Sequence, residues 1–345
     1  MRQRTRISWK ESVALAGIAA ALAGGAALAG AGPAPVTSFT APVAARIEAL
    51  DCSSVSAADV RDVLSFAPAP RILNLQGSLA PVTMEPLARF LIAMGYPADR
   101  LTNPPDDRLS LSSFADSAQL AGTVAWYYEN EGAMPMLIGH SQGGMLAIRV
   151  LHEFAGAFHD SIEVWNPRTG ESERRTSIVD PQDGSERPVV GLKVPYAAAL
   201  ATGKLPRLLL GQWAMLDKLR AIPDTVDEFT GFTIEWDFIA GTFPGSEPYR
   251  ATGSASVRNV VLPATTSHLA LPQMQALATS AAMRAWIEAY DPESATPAPS
   301  ADVGLDAGNA IPAAELWYGV RKHWCREAQR QVHSQRTHAA KNTHG

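Results

Sequence analysis

Apolar residues along this chain fall into two kinds of pattern. Short, nearly unbroken apolar runs occur in Arg71-Ile-Leu-Asn-Leu-Gln-Gly-Ser, Pro135-Met-Leu-Ile, Val189 to Ala201, Phe232 to Ala240 and Val257 to Leu262. Runs this short and this apolar predict strands buried on both faces. Between them the apolar positions recur at helical spacing. Residues 84–94 predict a helix that stops at Gly95, and residues 113–131 one that carries Leu120, Val124, Trp126 and Tyr127. Residues 143–157 predict another, with Met145, Ile148, Leu151 and Phe154 on one face, and residues 280–290 a closing helix. Ser56-Ala-Ala-Asp has the form of a capped helix start, and Arg100-Leu-Thr that of a short strand. Strands alternating with helices predict an α/β fold, a mostly parallel central sheet flanked by helices.

Punctuation in the pattern divides the chain. Asn166-Pro-Arg-Thr-Gly and Asp180-Pro-Gln-Asp-Gly are turn sequences between short β-prone runs, so residues 161–190 read as a β-hairpin insertion. Residues 203–222 include an apolar helical pattern with Leu209, Trp213, Leu216 and Leu219, which suits a lid helix or a helix packed on the sheet. The α/β domain then spans 56–290, preceded by an Ala/Pro-rich linker at 32–55. A second linker covers 291–311, and 312–345 holds a C-terminal helix followed by a polar, disordered tail beyond Val332.

Composition adds bounds. Of 345 residues, 46% are hydrophobic and 18% charged, enough to build a substantial core. The net charge of −5 and the lack of a basic run argue against a nucleic-acid partner. Arg2, Arg4, Arg6 and Lys10 precede an uncharged Ala/Gly/Leu stretch ending in Ala27-Leu28-Ala29. Residues 1–31 therefore read as a cleaved export signal or, if retained, a membrane anchor, which places the protein in the periplasm or outside the cell. The two cysteines, Cys52 and Cys325, are either a disulfide joining the two ends of the mature chain or two buried thiols.

The candidate chemistry sits where a strand runs into a helix, in Gly139-His140-Ser141-Gln142-Gly143-Gly144. Glycines around a serine at such a junction relieve the clashes that block a sharp turn, and the turn lifts the hydroxyl above the sheet. A serine hydroxyl needs a base to become a nucleophile. Of eight histidines, His268 alone lies in a loop directly after the last strand, so it is the candidate base. The histidine needs a carboxylate to hold its tautomer. Glu247, in the loop past the end of the preceding strand, ranks first; Asp237, inside the apolar run 232–240, ranks second. The negative oxygen of acyl transfer needs backbone N–H donors, and Gln142 with Gly77 or Ser78 is placed to supply them. There is no metal-ligand spacing, dinucleotide fingerprint or phosphate loop, so no metal or organic cofactor is expected.

This order of oxyanion loop, serine elbow, acid and histidine resembles that of the α/β-hydrolase superfamily. The resemblance covers residues 71–290, and His140-Ser141-Gln142-Gly143-Gly144 is a form common among its lipases and esterases. Two places depart from it. Gln76-Gly77 stands where His-Gly is frequent, and Gly241-Thr-Phe-Pro-Gly-Ser-Glu247 replaces the usual Gly-x-x-Asp acid loop. The resemblance implies an esterase acting on a small-molecule or lipid ester through an acyl-enzyme. An acyltransferase with the same triad, or a non-catalytic envelope-binding protein of this fold, are the alternatives.

Overall fold

The computed structural model describes residues 38–79, 82–204, 212–294 and 307–343. In chain order these include α1 (Ala41–Glu48), α2 (Ala57–Asp62), β1 (Ile72–Leu75), α3 (Glu85–Ala93), α4 (Ser117–Glu131), β2 (Met136–His140) and α5 (Gln142–Phe154). Four short strands come next: β3 (Trp165–Asn166), β4 (Glu171–Ser172), β5 (Ser177–Val179) and β6 (Glu186–Pro188). Then come β7 (Val194–Leu200), β8 (Ala221–Ile222), β9 (Val226–Ile234), β10 (Arg250–Ala251) and β11 (Ser256–Leu262), a closing helix Ala281–Ala289 and a C-terminal helix Ala310–Thr343.

Five strands form one parallel sheet in the order β1-β2-β7-β9-β11. Alternation along β7 shows why its run is apolar throughout. From Tyr196 on, Tyr196, Ala198 and Leu200 enter the core under α1, α3 and the C-terminal helix, while Ala197 and Ala199 enter the core under α4 and α5. Both faces are covered, so neither can be polar. This is the expected α/β architecture. All five strands point the same way, so the loops after β1, β2, β7, β9 and β11 gather at one edge, where open α/β sheets place their ligands.

Local chemistry sets the boundaries. Ser56 and Asp59 form a reciprocal cap at the start of α2. Asp116 caps α4 through Gln119 N–H, and Gly132 ends it in the left-handed region at φ 75°. The insertion at 161–190 contains two hairpins, β3–β4 and β5–β6. Their turns are built alike. In each, the Asx side chain accepts from the N–H two residues on, at 3.0 Å for Asn166–Arg168 and 2.8 Å for Asp180–Gln182. In each, a left-handed glycine, Gly170 or Gly184, donates its N–H back to the Asx carbonyl. The hairpins dock on α4 through the Arg175–Glu129 ion pair and the Trp126–Glu173 and Tyr128–Asp180 hydrogen bonds.

Several boundaries differ from expectation. Arg100-Leu-Thr is not a strand: Ala98–Arg100 is a single 3-10 turn, and the N–H groups of Arg100, Leu101 and Thr102 bond back to Pro97 and Ala98. The expected linker at 32–55 contains α1, whose buried Ala44 and Ile47 pack on the C-terminal helix. The expected tail is helical to Thr343, because that helix has anchors beyond Val332: Ser334 donates to Gln182 O, and Gln335 bonds both N–H and C=O of Phe39. Cys52 and Cys325 form a disulfide, with Cα atoms 5.4 Å apart. The leader 1–31 and Leu209 of the expected lid helix lie outside the described residues. Trp213–Met215, within the same apolar pattern, is a 3-10 turn, and β8 comes next.

Candidate active site

The strand β2 ends at His140, and the chain turns so sharply that Ser141 adopts φ 53° and ψ −116°. That is a strained backbone for a residue with a Cβ. The flanking glycines make it possible by close packing. A Cβ on Gly143 would lie 2.0 Å from Leu75 O, and one on Gly139 2.3 Å from the Gly143 carbonyl group. A Cβ on Gly144 would lie 2.0 Å from Thr202 Oγ1. The turn is fastened to β7: Ser141 N–H donates to Leu200 O at 2.8 Å, and Thr202 Oγ1 donates to Ser141 O at 2.9 Å. Thr202 was not singled out by the sequence. Nothing in its spacing marks it, since its role arises only when β7 pairs beside β2.

Ser141 Oγ lies 3.1 Å from His268 Nε2, and His268 Nδ1 lies 2.6 Å from Asp237 Oδ2. All three side chains are largely buried. The carboxylate on the histidine is Asp237, the second-ranked candidate. Glu247 does not reach it; it pairs instead with Arg250 and, at 3.5 Å, with Lys204, and its side chain is 40% exposed. The physical reason is where β9 ends. The run Phe232–Ala240 is not one strand, because pairing stops at Ile234 and Trp236 takes φ 58°. Asp237 itself makes the turn: its Oδ1 accepts the N–H groups of Ile239 and Ala240, both at 3.0 Å. Apolar composition through Phe238, Ile239 and Ala240 hides that turn in the sequence.

Electrostatics fit this geometry. Burial pushes the Asp237 carboxyl up, but the bond from His268 and the N–H groups of Ala240 and Ile239 outweigh it and hold it below the usual carboxylate range. An ionised Asp237 accepts a hydrogen bond from the Nδ1–H of His268. Nε2 is then a lone pair facing the Ser141 hydroxyl, which donates to it.

Gly77 lies against the Ser141 turn. A side chain there would begin 3.1 Å from His140 Nδ1 and 3.4 Å from Ser141 Cβ. Gln76 anchors this loop by donating its N–H to Leu111 O and accepting from Ser110 Oγ at 2.9 Å. Ser78 comes next, half-buried. Gln142 is the first residue of α5, where backbone N–H groups have no partner within the helix. Among the described residues, no group of three or more His, Cys, Asp and Glu side chains is placed to hold a metal ion.

The fold and site therefore define an α/β protein with a Ser–His–Asp hydrogen-bonded chain at the carboxyl edge of a parallel sheet. No protein-family model matches the chain, and no curated protein matches it. Among solved structures, it is similar to RedJ with a polyethylene glycol molecule bound in the active site, at 14% identity over 63% of this chain and 92% of that one, with a TM-score of 0.28.

Proposed function

We propose that this protein is an exported serine hydrolase of the α/β-hydrolase superfamily that cleaves carboxylic esters through an acyl-enzyme. The observation that carries this reading is the hydrogen-bonded chain Ser141–His268–Asp237 built on a strained, glycine-relieved turn. Such strain costs about 1–3 kcal/mol and persists where the surrounding structure enforces it, which supports a functional reason for the turn.

In this mechanism His268 Nε2 takes the Ser141 proton as Oγ attacks the ester carbonyl carbon. The carbonyl oxygen becomes negative and is held by the N–H of Gln142 and that of Gly77 or Ser78; one such donor is worth roughly 10²–10³ in rate. The imidazolium, stabilised by Asp237, gives its proton to the leaving alcohol as the C–O bond breaks. Water then enters, His268 takes its proton, and hydroxide displaces Ser141 by the reverse path.

The surroundings support an apolar acyl group. Leu79 beyond the oxyanion loop, Trp236, Phe238, Ile239 and Phe243 around Asp237, and Leu269 beside His268 are all exposed. Large apolar side chains left in water around one site suit an apolar ligand. The Cys52–Cys325 disulfide supports an oxidising compartment, and so the periplasm or the exterior. Hydrolysis of a series of p-nitrophenyl esters tests the reading. Turnover that rises with acyl length and disappears in Ser141→Ala is expected, and turnover retained in Ser141→Ala refutes it. An added alcohol that diverts the acyl group to a new ester identifies the acyltransferase instead.

A further inference from the structure

We propose that His140 is a positioning residue for His268, holding the histidine loop in register with the nucleophile turn through its Nε2–H. The inference rests on the serine hydrolase reading above. Its ground is a contact that this mechanism does not use: His140 Nε2 lies 2.9 Å from the backbone oxygen of His268.

A carbonyl can only accept, so His140 carries its proton on Nε2 and leaves Nδ1 as a lone pair. The two rings lie 5.0 Å apart between centroids, tilted at 58° to each other. The segment after β11 has turns and no regular structure until the 3-10 turn Gln275–Ala278, so no strand or helix pairing fixes the backbone at His268. The side chain of His268 is tied to Asp237, and its main chain is tied to His140. The same ring also touches the third loop of the site, since Gly77 approaches Nδ1 so closely that a Cβ would sit 3.1 Å away. One buried imidazole thus spans the oxyanion loop, the nucleophile turn and the histidine loop.

Burial, followed by the neighbouring His268, pulls the His140 pKa down to about 3. The ring is therefore neutral whenever His268 has to accept a proton. The imidazolium formed during turnover meets no second cation across the ring contact, and the Nε2–H tautomer stays fixed.

The test moves the donor. In His140→Gln the side-chain amide N–H falls near the place of Nε2, whereas in His140→Asn it falls near that of Nδ1. Saturable labelling of Ser141 by a fluorophosphonate measures the limiting rate and the half-saturating concentration separately. The expected result is a limiting rate within about 3-fold of wild type for Gln. For Asn it is lower by about 10–100-fold, the scale of an ångström-sized misplacement, with the half-saturating concentration unchanged. Thermal unfolding accompanies each variant, and His140→Met supplies a third of similar size without a donor. Equal rates in Gln, Asn and Met, whether high or low, overturn the inference. A wild type that labels at Ser141 while these variants match it defeats the inference alone. A wild type that does not label defeats the hydrolase reading on which it rests.

Discussion

Asp237 Oδ2 meets His268 Nδ1 at 2.6 Å from a position only three residues past the end of β9. The carboxylate reaches the histidine because its own side chain caps the turn that ends the strand. The same residue therefore shapes the loop and orients the imidazole. Asp237→Asn is expected to lower kcat for ester hydrolysis by roughly 10³–10⁴, because the amide favours the wrong tautomer. Glu247→Gln is expected to leave kcat within a few-fold of wild type. Steady-state kinetics of the two variants decide between the acids, and the reverse ranking contradicts this assignment.

The turn at Ser141 depends on glycines packed against backbone. Gly143→Ala places a methyl group 2.0 Å from Leu75 O, a fixed main-chain atom. The expected cost is about 1–3 kcal/mol of stability, the usual range for overpacking, together with loss of activity as β1 and α5 move apart. Chemical denaturation and kinetics check both. Gly170→Ala is the control: it has a left-handed φ of 72° but open space around it, so it strains only its own hairpin turn.

The disulfide Cys52–Cys325 closes a loop across a separation of 273 residues. Its removal in a double Cys→Ser variant is expected to destabilise the protein by about 2–4 kcal/mol, chiefly by releasing the unfolded chain. Denaturant midpoints of the oxidised, reduced and double-variant proteins measure this. A variant as stable as the oxidised protein contradicts it.

At the other end of the sheet, Glu228 of β9 binds Lys322 Nζ at 2.6 Å and His323 Nε2 at 3.2 Å on the C-terminal helix. Burial pushes the Glu228 carboxyl up, but the bonds from His323 and Lys322 prevail and bring it from 4.5 down to about 2. Burial likewise holds His323 below its ordinary 6.5, despite its bond to Glu228. Both folded-state values lie below the unfolded ones, so the unfolded chain binds protons more readily. Stability is complete above pH 6.5 and falls as pH drops, first as unfolded His323 protonates and then as Glu228 does. Unfolding followed from pH 7 to pH 3 should show this decline, and Glu228→Gln should flatten its lower part. A Glu228→Gln profile parallel to wild type contradicts the linkage.

Much of the fold was legible because burial on both faces leaves an unmistakable apolar run, as in Val194–Leu200, and because caps such as Ser56–Asp59 are local. Ser141 and His268 were legible for the same kind of reason: each follows a strand, and chain order restricts which loop each can occupy. The acid was harder. Trp236, Phe238 and Ile239 look like strand residues, but they are exposed on a turn set by one side chain. Tertiary partners decided what periodicity could not. The helix at 332–343 is polar, and its contacts come from Phe39 and Gln182, far away in sequence. Thr202 and the His140–His268 contact likewise exist only once β2, β7 and the histidine loop are neighbours.

The proposed activity requires Ser141 to be a nucleophile activated by His268 and Asp237. The intact mass of the protein after treatment with a fluorophosphonate measures this without reference to any substrate. One covalent adduct is expected on the wild type, carried by the peptide containing Ser141, with none on Ser141→Ala and slow labelling of His268→Ala. A wild type that takes up no adduct, or a Ser141→Ala protein that labels equally fast, contradicts it.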